Sequence, residues 1–325
     1  MKNITCIGGA TGSSVVLRSL KKHNFKISVI YPITDDGGSA GRLIQDYNTL
    51  PTGDLRRLIS ALSPKDNILN QMLLYRFDKG ELKGHALGAI MLTSLIDITG
   101  SITKATQEMN KILNIKHHIL PSSLKRTTLC AKLENNKTVK GENKIDEVIG
   151  FDGNLKIKNL YLEPQVPTNP RVKKDIINSN VIILGPGDLY TSVIPNLLVT
   201  GIKEAIKKSK ARVIFICNIM TKFGQTNNFQ VSDFVTELEK YIGQNIINYV
   251  IYNTKKPSPK ILKAHKKRKE KFVDIDKRNF TKKCQYIGAS LLAKQIYQKN
   301  PGDILKRSLI KHDPQKLEKI LLPII

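Results

Sequence analysis

The sequence predicts an α/β protein with a Rossmann-like, doubly wound and mostly parallel sheet and a small inserted antiparallel β region. Three observations predict it. Short apolar runs typical of buried strands alternate with segments of helical spacing, glycine-rich loops follow several of these runs, and 325 residues suffice for one large domain. We therefore predict a single domain over residues 1–325, with the β insertion at about 117–165 and a basic C-terminal segment at about 255–325.

The chain opens with the strand–loop–helix–strand order of a nucleotide-binding sheet. Residues 3–7 (NITCI) form a β-rich run, residues 13–22 have helical spacing, and residues 26–33 (KISVIYPI) indicate a second strand. Four helices are then predicted, over residues 55–62, 66–77, 86–99 and 101–113.

The pattern changes between residues 117 and 165, where short alternating runs are broken by turns rich in Asn and Gly. This predicts antiparallel strands. A helix at 171–179 then precedes a continuous apolar strand at 180–184, of the kind that parallel sheets bury on both faces. The remaining predicted elements are strands at 212–217 and 246–253, helices at 202–209 and 232–243, a Lys-rich helix and a short C-terminal helix after Pro314.

The formal net charge of +26 is the extreme value of the composition. Lys far outnumbers Arg, and Lys is the weaker residue for bidentate contacts to phosphates or bases. The most basic run, residues 255–283, also has few aromatic side chains to stack on bases. We therefore favour a solvated basic surface and predict no nucleic-acid partner. An RNA-associated protein is the third hypothesis, and it requires a steep salt dependence of binding.

The chain has no apolar run near the roughly 18 residues that span a bilayer, and its first residues lack a secretory signal pattern. The four cysteines, at positions 6, 130, 217 and 284, form no C-x-x-C pair. We therefore expect a cytoplasmic protein with no membrane partner.

The first glycine-rich loop, residues 8–12 (GGATG), lies between a predicted strand and a predicted helix. Glycine lets the backbone approach a ligand, and the N-terminus of a helix offers unpaired N–H groups and a positive dipole to a phosphate. The loop is neither a Walker loop nor a G-x-G-x-x-G fingerprint. It predicts phosphate binding.

The second loop, residues 35–42 (DDGGSAGR), contains a pair of carboxylates. These could hold Mg²⁺ or accept hydrogen bonds from ribose hydroxyls, and Arg42 offers a fork for a diphosphate. An ordinary polar turn with a helix N-cap explains the same residues about equally well.

A third segment, residues 53–57 (GDLRR), is accompanied by residues 84–88 (GHALG). His85 stands at a predicted helix start, where a structural hydrogen bond is the more common role and catalysis the less common one.

The fourth loop, residues 185–192 (GPGDLYTS), follows the most apolar strand of the chain. Ligands of parallel sheets bind outside the carboxyl ends of strands, where the strand order switches. We expect the first and fourth loops to face each other across one crevice, with Asn218 beside them. No nucleophile stands beside a base in a known motif, so the binding signal is strong and the catalytic signal weak.

These blocks together, with residues 75–77 (YRF) and 311–314 (KHDP), resemble the YvcK-like gluconeogenesis factor family of bacteria, within the CofD superfamily. The resemblance covers nearly the whole chain. It implies a Rossmann-like core, a cytoplasmic location and binding of UDP-sugars such as UDP-N-acetylglucosamine, in support of gluconeogenic growth, cell shape and peptidoglycan supply. An NAD-like dinucleotide is another implied occupant. In the related CofD branch, a phospholactyl group passes from a nucleotide-activated donor to a deazaflavin, with Mg²⁺.

The chain departs from the family pattern at six positions. Asp188 stands where Ser is usual and places a carboxylate in the expected phosphate loop. Lys311 replaces a usual Arg, and His265 falls where a Tyr of the sugar-nucleotide site is expected. The others are Ala10 in place of a third Gly, and Arg57 and Ala89 in place of Asn.

Our first hypothesis is a non-catalytic UDP-sugar-binding protein that requires no cofactor, has an unknown regulatory protein partner and has apolar helices that leave room for a homodimer. The alternative is a Mg²⁺-dependent CofD-type transferase, in which Asp35 and Asp36 hold the metal ion. The predicted ligand-binding residues are Gly8, Gly9, Thr11, Gly12, Asp35, Asp36, Gly37, Gly38, Ser39, Arg42, Asp54, Arg56, His85, Gly185, Gly187, Tyr190, Thr191, Ser192, Asn218, His265, Lys311 and His312.

Overall fold

A seven-stranded parallel sheet forms the centre of the protein in this computed structural model. The structure describes residues 1–37, 43, 46, 47, 49–64, 67–294 and 308–325. The strand order is β10-β9-β8-β7-β1-β2-β3, and every neighbouring pair is parallel. The strands are β1 (Lys2–Ile7), β2 (Phe25–Tyr31), β3 (His118–Pro121), β7 (Val181–Leu184), β8 (Arg212–Ile216), β9 (Tyr249–Asn253) and β10 (Gln285–Ala289). The predicted α/β fold class is confirmed.

A separate three-stranded antiparallel sheet is inserted between β3 and β7. Its order is β5-β4-β6, with β4 (Thr128–Leu133), β5 (Thr138–Lys140) and β6 (Ile157–Glu163). The phenol of Tyr241 accepts a hydrogen bond from the Leu160 N–H at 3.1 Å and so links this sheet to the main body.

The described helices flank the sheet. They are α1 (Ala10–Leu20), α2 (Gly53–Leu62), α3 (Ile68–Leu74), α4 (Leu87–Thr99), α5 (Ile102–Ile112), α6 (Glu142–Glu147), α7 (Pro170–Ile177), α8 (Ile194–Leu197), α9 (Ile202–Lys208), α10 (Val231–Ile242), α11 (Pro259–Lys266) and α12 (Pro314–Leu321). A π-helical turn (Leu189–Val193) leads into α8, and a 3₁₀ turn (Lys277–Asn279) precedes β10. Among the described helices, none is long and apolar enough to cross a membrane.

The sequence dictates these elements through apolar periodicity. All four residues of β7 are buried, because both faces of a central parallel strand are covered by helices. Helix α10 buries Phe234, Leu238 and Ile242, which lie on one helical face, and Gln230 and Asp233 form a capping box at its start.

Two strands differ from the prediction. His118–Pro121 pairs in parallel with β2 at the edge of the main sheet, so the antiparallel sheet begins at Thr128 and not near residue 117. Strand β10 was not predicted; it pairs in parallel with β9 at the opposite edge. Both are short strands that pair with one neighbour each within the described residues, and their sequences, HILP and QYIGA, lack a continuous apolar run.

Candidate functional site

The strand order places β1 and β7 side by side in the middle of the sheet, with Ile7 in register with Leu184. On one side of this pair the chain continues to β2 and β3, and on the other to β8, β9 and β10. This is a topological switch point, where open α/β sheets bind ligands at the carboxyl ends of the strands. The first and fourth glycine-rich loops both leave the sheet here.

The two loops contact each other directly. A Cβ atom on Gly12 would lie 1.6 Å from the Pro186 carbonyl oxygen, and one on Gly9 would lie 2.6 Å from the Ser192 Oγ atom. Only glycine at position 12 allows this approach to the Pro186 backbone, and Gly9 leaves room for the Ser192 side chain. Because the loops meet, their exposed edges form one wall of a shared cavity.

The cavity has a volume of about 620 Å³. Its wall is polar along the glycine loops and includes apolar side chains elsewhere, such as Val148, Met220 and Phe223. Of the predicted ligand-binding residues, those that line it are Gly9, Thr11, Gly12, Asp35, Gly37, Asp54, Gly187, Thr191, Ser192, Asn218, Lys311 and His312.

A group of carboxyl side chains lines one part of the cavity. Asp54 accepts a hydrogen bond from the Ala10 N–H at 3.1 Å, and Asp35 accepts one from the Gly37 N–H at 3.1 Å. Burial, and then the neighbouring Asp54, raise the pKa of Asp35 to about 6. Burial and the charge of Asp35 raise the pKa of Glu142 well above its usual value. These partly buried, crowded acids therefore keep a proton to higher pH than solvated carboxyl groups do.

The predicted magnesium pair does not converge on the cavity. Asp35 lines it, whereas Asp36 lies outside the lining and accepts a hydrogen bond from the Asn143 N–H at 2.9 Å. Within the described part of the chain, no group of three or more His, Cys, Asp or Glu side chains is placed to hold a metal ion. Magnesium binding stays a prediction.

Asp146 joins the inserted segment to the fourth glycine loop. Its carboxylate accepts hydrogen bonds from the Thr191 hydroxyl at 3.2 Å, from Lys222 Nζ at 3.1 Å and from the Gln225 side chain at 3.1 Å. Lys222 Nζ also lies 3.6 Å from the Asp188 carboxylate. Asp146 and Lys222 both line the cavity, yet neither belongs to a sequence motif that distinguishes it from the many other acidic and basic residues.

Seven other predicted residues lie outside the lining of the cavity. The Gly8 and Gly185 N–H groups donate to the Ile30 and Ile7 carbonyls, and so extend the sheet ladder beneath the loops. Arg56 is buried and donates to the Leu73 carbonyl at 2.9 Å. The remaining residues of this set are Asp36, His85, Tyr190 and His265.

Three of these have evident structural surroundings. Tyr190 is buried and its ring meets Phe229 edge-to-face. His265 is fully buried, and its Nδ1 lies 2.5 Å from Oε2 of Glu270, which lines the cavity. His85 belongs to the turn between α3 and α4, where its carbonyl accepts the Phe77 N–H.

Gly38, Ser39 and Arg42 lie outside the described residues. His312 lines the cavity but is 5% exposed, and burial lowers its pKa to about 4. It is therefore a neutral imidazole at pH 7.

Comparison with known proteins gives one consistent result. The family model described as "2-phospho-L-lactate transferase CofD" matches residues 4–293. A Thermotoga maritima protein with the provisional name gluconeogenesis factor is 38% identical over 321 residues, 98% of each chain. The Bacillus subtilis "Gluconeogenesis factor" is 33% identical over 99% of this chain and 98% of its own length. A crystal structure of a Bacillus halodurans protein, 33% identical, superposes with a TM-score of 0.89 over 99% of both chains.

Proposed function

The chain belongs to the CofD family and groups with relatives named gluconeogenesis factors, and from this we propose that it is a gluconeogenesis factor that binds a UDP-sugar without catalysis. UDP-N-acetylglucosamine is the ligand that we propose. The proposed binding occurs in the cavity at the switch point. Binding would serve gluconeogenic growth, cell shape and peptidoglycan supply.

The observation that carries this proposal is the convergence of two glycine loops at the carboxyl ends of β1 and β7. Helix α1 begins at Ala10, and its first three residues, Ala10, Thr11 and Gly12, line the cavity, so the first turn of the helix lies at the cavity wall. The Ala10 N–H itself donates to Asp54. A diphosphate bound here would accept hydrogen bonds from backbone N–H groups and gain from the positive end of the helix dipole.

The remaining shape of the cavity suits the rest of such a ligand. Its volume of about 620 Å³ falls within the ~300–1,000 Å³ typical of small-molecule sites. Carboxylates such as Asp35 and Asp54 can accept hydrogen bonds from ribose or sugar hydroxyls. Apolar side chains such as Phe223 offer a surface for the uracil ring.

Isothermal titration calorimetry with UDP-N-acetylglucosamine tests this function, with Thr11→Glu as the disrupting variant. Thr11 is exposed, lines the cavity and is the second residue of α1. A Glu there suits the helix dipole, so α1 should stay folded, while its charge opposes a diphosphate. We expect binding by the natural chain and at least about tenfold weaker binding by the variant.

Thr103→Glu is the matched control, because Thr103 is the second residue of α5, a helix that also has 11 residues but does not line the cavity. It should bind as the natural chain does. UMP and NAD⁺ serve as competitors for the nucleotide and dinucleotide alternatives. Absence of heat at about millimolar UDP-N-acetylglucosamine, or equal losses in both variants, would contradict the proposal.

A CofD-type transferase is the second candidate, because the matching family model carries that name. The raised pKa of Asp35, about 6, gives the cavity an acid that could exchange a proton near neutral pH. The test is mass spectrometry of products after incubation with MgCl₂, nucleotide-activated phospholactate and a deazaflavin acceptor. Transfer of the phospholactyl group would support this candidate, and intact donor alongside measured UDP-sugar binding would exclude it.

A further inference from the structure

Asp188 places a carboxylate in the loop that is proposed to hold a diphosphate. Asp188 lines the cavity next to Gly187, and its carbonyl accepts the Ser192 N–H at 2.8 Å. The Asp188 side chain is 39% exposed. An anion entering this wall would meet a like charge, so the loop needs a compensating cation.

Lys222 supplies that cation. Its ammonium group lies 3.6 Å from the Asp188 carboxylate and 3.1 Å from that of Asp146, and its side chain is 19% exposed within the cavity wall. Burial alone would lower the pKa of Lys222, but the charges of Asp188 and Asp146 more than reverse this and raise it. Lys222 therefore stays charged at neutral pH.

The two carboxylates hold Lys222 differently. Asp146 is fixed from other directions by Thr191 and Gln225, and its side chain is 21% exposed. Asp188 is the more exposed partner at the longer distance. An entering oxyanion can thus replace Asp188 beside the ammonium group while Asp146 keeps Lys222 in place.

We propose that Lys222 binds a phosphate oxygen of the ligand and that Asp188 competes for Lys222 when the cavity is empty. The proposal rests on the proposed function, since it names the residues that set the affinity of the same site for diphosphates. Asp188 then lowers the affinity of the site for anions, because the ligand has to displace it from Lys222.

Calorimetry with sodium pyrophosphate and, in parallel, with UDP-N-acetylglucosamine tests this inference. Asp188→Asn should bind both probes about tenfold more tightly, since Lys222 loses its competitor. Lys222→Gln should bind both about tenfold more weakly. Asp97→Asn, at an exposed site outside the cavity lining, removes the same charge and should change neither affinity.

Lys222→Arg retains the charge and should retain binding, which separates loss of the cation from misfolding if Lys222→Gln fails to fold. Equal affinity of Asp188→Asn and the natural chain for UDP-N-acetylglucosamine would overturn the inference and leave the proposed function standing. The predicted pattern with pyrophosphate, without UDP-N-acetylglucosamine binding, would support the inference and overturn the choice of ligand. Failure of every folded variant to bind either probe would overturn both.

Discussion

At the scale of single residues, Asp35 shows how crowding of acids in the cavity lowers the stability of the folded protein. Its carboxyl is partly buried near Asp54, and desolvation and the charge of Asp54 raise its pKa from 3.8 to about 6 in the folded chain. Between pH 3.8 and pH 6, Asp35 is largely ionised in the unfolded chain and largely protonated in the folded chain. Ionisation of Asp35 therefore favours unfolding, with no penalty below pH 3.8 and the full penalty above pH 6.

Asp35→Asn should accordingly stabilise the protein at neutral pH, because the amide keeps the shape and removes the partly desolvated charge. We expect a gain of about 1–2 kcal/mol in the free energy of unfolding near pH 7.5 and almost none near pH 3.5. Urea denaturation at the two pH values measures it. A gain of the same size at both would show that the charge of Asp35 is not the cause.

Single residues also show how far sequence reasoning extends to the site. The glycine loops were predictable because strand, loop and helix follow one another directly, and Gly9 and Gly12 indeed lie where the loops meet. The sequence could not show that Arg56 and His265 lie outside the cavity lining, since their partners, the Leu73 carbonyl and Glu270, are set by packing. Lys222 was missed because its partners come from distant segments of the chain.

At the scale of elements, one carboxylate fastens α7 to the edge of the sheet. Asp175 accepts hydrogen bonds from Ser28 of β2 at 2.7 Å and from Arg171 at 3.0 Å, and lies 2.8 Å from His118 of β3. Burial alone would raise the pKa of Asp175, but the hydrogen bonds from His118 and Ser28 outweigh burial and lower it. The ionised carboxylate thus stabilises the packing of α7 on the β2–β3 edge.

Asp175→Asn should lower the free energy of unfolding by about 1–3 kcal/mol at pH 7, because the helix loses its charged anchor. The stabilisation by Asp175 is present above the unfolded pKa of 3.8 and is lost as the pH falls through the lower folded pKa. Denaturation curves of the variant and the natural chain should therefore approach each other in acid. The exposed Asp97→Asn variant serves as the control and should match the natural chain at each pH.

Elements were predictable in proportion to their burial. The central strands could be predicted because they are continuous apolar runs, as in the VIIL of β7. The edge strands β3 and β10 did not, since a strand with one neighbour needs less apolar surface. The parallel pairing of β3 with β2 is a long-range contact that the alternating residues around 118–133 do not encode locally.

At the scale of the whole molecule, the net charge of +26 gives no guide to the site. Among the described residues, seven Asp or Glu and five Lys or Arg side chains line the cavity, so its wall is not basic. The excess of Lys therefore resides on the outer surface, where it favours solubility and says little about the ligand. Homodimer formation and a regulatory protein partner stay predictions.

The neighbouring positions of β1 and β7 have a mechanical consequence. These strands come from residues 2–7 and 181–184, so their pairing joins the N-terminal part of the chain to the part that follows the inserted sheet. A ligand that binds both glycine loops would link these two strands to each other. Ligand binding would then raise the melting temperature of the entire sheet, and not only the stability of the side chains that contact the ligand.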